Sequence, residues 1–206
     1  LSLARNIPFA DRSVKGGEWP RMVGTGIKGK TLGIIGVGQI GKKVAKRALG
    51  FDMEVLVYDV VKDEDFVKTV GVKYVSLDEI FVKADFISIH VPLIDATRNM
   101  VSRREFDMMK KSTFLVNVAR GGVVDEEALF EALKENKIAG SACDVFTQEP
   151  PKDNPLLTLE NVIATPHMGS YTREALIDTG MICVRNIVDV LKGGKPQFLN
   201  NPEVLD

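Results

Sequence analysis

The stretch that most limits how this chain can fold is LGIIGVGQIG at residues 32–41. Residues 31–36 are a short apolar run ending in glycine. Residues 39–49 then place Ile40, Val44, Ala48 and Leu49 on one helical face. Gly36, Gly38 and Gly41 sit at GxGxxG spacing between that strand and that helix. The spacing alone is a weak signal. It gains weight from EVLVYD (54–59), a second strand pattern whose last residue, Asp59, follows Gly41 by 18 residues. A carboxylate about 20 residues on is what a dinucleotide-binding βαβ unit needs.

Each part has a physical task. Gly36 permits a tight turn, Gly38 lets backbone approach a pyrophosphate, and Gly41 lets helix and strand pack closely. The first turn of the helix, from Gln39 and Ile40, offers unpaired N–H groups and a positive dipole end to phosphates. Asp59 suits the adenosine ribose hydroxyls, and its charge favours NAD over NADP. Lys62 nearby keeps a 2′-phosphate in play.

The alternation continues. SLDEIFVKA opens with Ser76 and Glu79 at capping-box spacing, which predicts a helix start. Strands are predicted at 85–90, 113–118, 138–145 and 161–166, and a helix led by acids at 125–137. Runs such as FLVNV lack strict alternation, as strands buried on both faces do. A long final helix follows, with Ile177, Met181, Val184, Val188 and Leu191 along one stripe and Gly193–Gly194 at its end. The expected fold is α/β: a Rossmann-type, doubly wound parallel sheet with an N-terminal arm and a long C-terminal helix. The expected division is an arm and linker at 1–26, a nucleotide-binding domain at 27–169, and a helix with an irregular tail at 170–206.

Charge excludes some partners. There are 27 basic and 28 acidic residues, so nothing points to nucleic acid or an anionic membrane. No apolar run is long enough to span a bilayer. The two cysteines, Cys143 and Cys183, form no CxxC pair and read as buried thiols of a reducing, cytoplasmic compartment. With two histidines and two cysteines scattered singly, no metal cluster is visible.

Ligands of a parallel sheet sit beyond the carboxyl ends of its strands. His90, Arg120, Asp144 and His167 fall at such ends, and Glu149 follows Asp144 closely. An arginine can grip a carboxylate bidentately. A histidine can exchange a proton with a carbonyl or hydroxyl oxygen, and a nearby carboxylate fixes its tautomer. These types suit hydride transfer to a 2-oxo acid. Residue chemistry does not choose between His90 and His167.

LGIIGVGQIG, HVPLIDATRNM, NVARGGVVDEEAL, DVFTQEP and TPHMGS, in that order, resemble the D-isomer-specific 2-hydroxyacid dehydrogenase family from about Leu3 to Gly194. The resemblance implies that Arg120, in ARGG, holds the substrate carboxylate and carbonyl. It implies that His167, in the P-H-x-G motif, is the acid/base, and that Glu149 supports it. Cofactor contacts implied by the match fall on Gly36, Gly38, Gln39, Ile40 and Gly41, on Asp59, and on His90, Val91, Pro92 and Thr97. They continue on Val118, Ala119 and Arg120, on Asp144 beside the nicotinamide amide, and on His167 and Gly169.

Family members also have a substrate domain built mainly from a longer N-terminal segment. Here LSLARNIP corresponds to the start of the nucleotide-binding domain, so the chain is expected to be a fragment that binds NAD and turns over poorly alone. The expected branches are phosphoglycerate dehydrogenase and glyoxylate/hydroxypyruvate reductase, acting on a small 2-hydroxy or 2-oxo acid. An alternative is an NAD-sensing scaffold like the C-terminal-binding-protein corepressors. Formate oxidation by a related enzyme is disfavoured by Glu149, where a glutamine is usual. The family resemblance also implies a homodimer through the nucleotide-binding domain. Leu1, Leu3, Ala4, Ile7 and Phe9 suit either a partner surface or packing on their own chain.

Overall fold

The structure, a computed structural model, describes residues 1–199 and 201–205. The chain forms two compact units, Leu1–His167 and Met168–Asp206.

The first unit is built on a seven-stranded sheet. Its strands are β1 (Thr31–Ile35), β2 (Glu54–Tyr58), β3 (Lys73–Tyr74), β4 (Phe86–Ile89), β5 (Phe114–Asn117), β6 (Gly140–Cys143) and β7 (Val162–Ala164). All neighbours pair in parallel, in the order β3-β2-β1-β4-β5-β6-β7. The chain winds outward from β1 to β3, then returns to lay β4 on the other side of β1. That reversal is the topological switch point of a doubly wound sheet.

Register levels the carboxyl ends. Ile35 pairs with Tyr58 and with Ile89, Ile89 with Asn117, Asn117 with Cys143, and Cys143 with Ala164. Gly36, Asp59, His90, Val118, Asp144 and Thr165 therefore leave the sheet in one row.

Side-chain alternation divides the core between the two faces. Ile35, Leu56, Ile87 and Ile89 join one cluster with Ile80 and Phe81 of α4 (Leu77–Lys83), Phe106 of α5 (Arg103–Met108) and Leu129 of α6 (Glu126–Lys134). Ile34, Val55, Val57 and Phe86 join the other, with Ala45 and Ala48 of α2 (Gln39–Leu49) and Phe66 of α3 (Glu64–Val70). Phe81 and Phe106 are fully buried, and truncating either to alanine costs about 3–5 kcal/mol.

Helix starts follow the expected chemistry. Ser76 and Glu79 form the complete capping box of α4. Asp125 caps α6 by accepting the Ala128 N–H, with Glu126 and Glu127 in the first turn. α3, β3 and α5 have no counterpart among the sequence expectations. α3 and α5 each bury a single phenylalanine, too little to set a period.

Three details differ from expectation. Ile40 is 64% exposed, because Gly41, Ala45 and Ala48 form the buried stripe of α2. Close packing at Gly41 turns the helix by one position. Cys143 is buried, but Cys183 is exposed, so the reading of both as buried thiols fails for Cys183. The arm divides: Leu3 and Ala4 are buried in this chain, while Leu1 and Ile7 are exposed. α1 (Ile7–Lys15) buries no residue, and the Thr25 N–H donates to the Ala4 carbonyl at 2.7 Å.

The second unit holds α7 (Arg173–Leu191), capped by Thr172 through the Ala175 N–H. Its apolar stripe is exposed: Ile177, Met181, Val184, Val188 and Leu191 all face solvent. Cys183 lies on this helix. Asn186 of α7 holds the start of the tail, accepting from the Gln197 N–H and donating to the Phe198 carbonyl. The tail from Lys195 has one short 3-10 turn at Pro202–Leu205, and Asn200 and Asp206 lie outside the described residues. Among the described residues, no helix is long and apolar enough to cross a membrane.

Candidate active site

The β1–α2 junction is a cradle made of backbone. Gly36 has φ +97°, and a methyl group there would lie 2.7 Å from the His90 carbonyl group. A methyl on Gly41 would overlap the Gly36 carbonyl oxygen, whereas one on Gly38 would meet no heavy atom within 4 Å among the described residues. Gly36 and Gly41 thus serve close packing, and Gly38 keeps open space. Gly38 caps α2 without any side-chain hydrogen bond, so the first-turn N–H groups of Gln39 and Ile40 remain for an anion.

Asp59 faces this cradle from the end of β2. Its Oδ2 accepts the Val37 N–H at 2.6 Å and its Oδ1 accepts the Val61 N–H at 3.0 Å. Those bonds orient the carboxylate, and each oxygen keeps a further lone pair. Lys42 of α2 pairs with Asp63, the N-cap of α3, which ties the loop after β2 to the glycine turn. An uncapped helix end, open space at Gly38 and an oriented acid together fit a dinucleotide.

Beside the switch point lies a hollow of about 260 Å³ lined by Ile40, His90, Val91, Pro92, Val118, Ala119 and Arg120. His90 is largely buried, with Nε2 2.8 Å from the Ser88 hydroxyl. Burial pushes its imidazole down to about 4, so it is neutral at physiological pH. Thr97 shapes the loop after β4, donating to the Pro92 carbonyl at 2.6 Å and accepting the Ile94 N–H at 2.9 Å. Its hydroxyl serves the loop itself. Arg120 is exposed and donates to the Ala119 carbonyl at 2.7 Å. Its loop is formed by buried Asn117, which accepts the Ala119 N–H and donates to the Arg120 carbonyl.

A second hollow, of about 380 Å³, is lined by Asp144, Phe146, Glu149, Pro150, Pro151, Ala164, Thr165, Pro166 and His167. Here His167 Nδ1 lies 2.9 Å from Glu149 Oε2. The other oxygen of Glu149 accepts the Phe146 N–H at 3.0 Å. The His167 bond, and secondarily the Phe146 N–H, hold the Glu149 carboxyl below the usual carboxylate range. His167 has φ +50°, a left-handed conformation costing on the order of 1 kcal/mol for a non-glycine residue. Its N–H is shared by the Asp144 and Thr165 carbonyls, at 2.9 and 3.0 Å. Asp144 is buried and accepts the Thr165 hydroxyl at 2.6 Å. Gly169 is exposed at the start of the second unit.

The two histidines are thus of different kinds. His90 is largely buried, neutral and bonded to a serine. His167 is half-exposed and bonded to a carboxylate. Glu149 and His167 share one hollow, while Arg120 lines the other. The loops meet at backbone level, because a methyl on Gly121 would overlap the Phe146 carbonyl. Sequence reading did not single out Asn117, Thr165, Ser88 or Glu126. A polar residue inside the apolar run FLVNV was the available signal for Asn117. Among the described residues, no group of three or more His, Cys, Asp or Glu is placed to hold a metal.

The fold and the cradle define a dinucleotide-binding domain of the Rossmann type. The family profile described as D-isomer specific 2-hydroxyacid dehydrogenase, NAD binding domain, matches residues 1–169, and the chain belongs to that family. It is 50% identical over 196 residues to the D-3-phosphoglycerate dehydrogenase of Methanocaldococcus jannaschii, covering 94% of this chain and 37% of that protein. It is 43% identical over 212 residues to the glyoxylate reductase of Korarchaeum cryptofilum, covering 100% of this chain and 64% of the relative. The NAD+-bound D-lactate dehydrogenase of Lactobacillus jensenii superposes with a TM-score of 0.87 at 30% identity, covering 96% of this chain and 64% of that one. The chain therefore spans well under two thirds of the phosphoglycerate dehydrogenase and just under two thirds of the other two. Its cofactor is NAD.

Proposed function

We propose that the protein to which this chain belongs transfers a hydride between NAD(H) and a small D-2-hydroxy or 2-oxo acid, with His167 as acid/base. The observation that carries this reading is the 2.9 Å contact between His167 Nδ1 and Glu149 Oε2 at the carboxyl edge of the sheet. Bound in the cradle, NAD would supply or accept the hydride. His167, its Nδ1 engaged by Glu149, uses Nε2 to take the proton from the substrate hydroxyl during oxidation and to return it during reduction. Glu149 fixes the tautomer and stabilises the imidazolium. Arg120 turns from the Ala119 carbonyl to the substrate carboxylate, where its fork makes two charge-assisted bonds. The rest of the protein closes the cleft and excludes water.

Gly36, Gly38, Gln39, Ile40 and Gly41 hold the pyrophosphate in this reading, and Asp59 holds the adenosine ribose. His90, Val91, Pro92, Thr97, Val118, Ala119 and Asp144 line the path to the nicotinamide. Two copies pair through the nucleotide-binding unit, with the exposed Leu1 and Ile7 of the arm available to the partner, and the enzyme works in the cytoplasm. The names of the relatives put 3-phosphoglycerate and glyoxylate first among substrates to test.

The test uses the full-length protein and this chain side by side. In the full-length protein, His167→Gln lowers kcat by about 100- to 10,000-fold. In this chain the same change leaves the glycine cradle and Asp59 in place, so calorimetric NAD binding persists. Retained turnover in the full-length variant sinks the assignment.

A further inference from the structure

Glu126 heads α6, in the sequence VVDEEAL, yet both of its carboxylate oxygens leave the helix. Oε1 accepts the Thr147 N–H at 2.5 Å, and Oε2 accepts the Asn154 side-chain amide at 2.6 Å. One carboxylate therefore ties together the two ends of the loop that carries Glu149. The adjoining amides are divided between two acids: the Phe146 N–H goes to Glu149 and the Thr147 N–H to Glu126. Asn154 is itself fixed, since its Oδ1 accepts the Leu156 N–H at 3.0 Å and Leu156 is fully buried. The other side of the Phe146–Thr147 peptide is closed by the Gly121 backbone.

We infer that Glu126 is a positioning residue of the reaction, a clasp that sets the loop 147–154 so that Glu149 meets His167. This rests on the proposed roles of Glu149 and His167. The hydrogen bond that the Phe146 N–H donates to Glu149 spans a single turn and does not hold the rest of the loop. The clasp adds anchors at Thr147 and Asn154, on either side of Glu149. Charged acceptors of backbone N–H groups make the stronger class of hydrogen bond, and such supporting contacts decide whether a reacting pair is held to a fraction of an ångström.

Two variants of the 206-residue chain test this. Glu126→Gln is isosteric, but its amide nitrogen faces the Asn154 amide, so one anchor is lost. Asn154→Asp keeps the oxygen that caps Leu156 and sets a second carboxylate against Glu126. The readouts are amide exchange at Phe146 and the Nδ1 nitrogen-15 shift of His167 at fixed neutral pH. His90 supplies the one other imidazole signal and an internal control.

We expect Phe146 exchange to quicken at least about tenfold, the equivalent of about 1.4 kcal/mol, and the His167 Nδ1 resonance to move toward its position in Glu149→Gln. The His90 signals and the α6 amides stay in place. Unchanged Phe146 exchange and an unchanged His167 shift in either folded variant overturn the clasp. If one variant does not fold, the other decides. Glu149→Gln separates the two ideas: if it leaves the His167 shift where it was, the Glu149–His167 pairing fails whatever Glu126 does.

Discussion

The two halves of the site are built from different materials. The β1–α2 cradle is made of backbone: three glycines, an uncapped helix end and a carboxylate oriented by two N–H groups. The β6–β7 side is made of side chains: Glu149 and His167, both substantially exposed, on loops held by other loops. The cradle is set by steric exclusion, which tolerates no added atom at two of its positions. The side-chain half is set by hydrogen bonds, which loosen by degrees. A binding function can thus persist where a catalytic one is easily lost.

The hardest blow to this contrast is Gly41→Ala. The added methyl overlaps the Gly36 carbonyl, and the turn must open. We expect a stability loss of about 1–3 kcal/mol and NAD affinity weakened at least about 100-fold, read by thermal melting and calorimetry. An unaltered melting temperature with full NAD affinity breaks the claim that backbone packing defines the cradle.

Gly38→Ala sharpens the same point. Its methyl enters open space, so the melting temperature holds while NAD affinity falls by about tenfold, roughly 1.4 kcal/mol. A loss of stability at Gly38 equal to that at Gly41 erases the distinction between packing and ligand space.

The smallest effect concerns the two histidines. His90 has its imidazole pushed down to about 4 by burial, from an ordinary value near 6.5. Between those values the unfolded chain binds the proton and the folded chain does not, so stability falls as pH drops from about 6.5 toward 4. Glu149, held below its ordinary range, acts in the same direction, its contribution being lost as pH falls through its folded pKa. His90→Gln flattens the upper part of the acid limb in melting curves. A limb of unchanged slope there places His90 in water.

Much of the cradle was legible because its signals are local. Glycine spacing, a strand before it, a helix after it and an acid at the next strand end all lie within residues 31–59. The capping box of α4 was equally local. Residue chemistry could not rank His90 against His167, because what marks His167 is a partner 18 residues away, Glu149, while His90 bonds Ser88 two residues back at the end of a buried strand. The Glu126 clasp reaches 21 residues to Thr147 and 28 to Asn154, and no periodicity marks such contacts. Ile40 shares a helical face with Val44, Ala48 and Leu49 in the sequence, yet it sits in the exposed first turn of α2, where apolar periodicity does not report burial. Cys183 reads from sequence as a buried thiol but is exposed on α7, which buries no residue.

The seam where Gly121 lies against the Phe146 carbonyl has a wider meaning. Arg120 stands one residue from that seam and Glu149 three residues beyond it. Only a residue without a side chain lets the two backbones touch there. A displacement of the Arg120 loop therefore presses on the backbone from which the Glu149 loop starts. Under the proposed reaction, the grip on the substrate carboxylate and the placing of His167 then share one support.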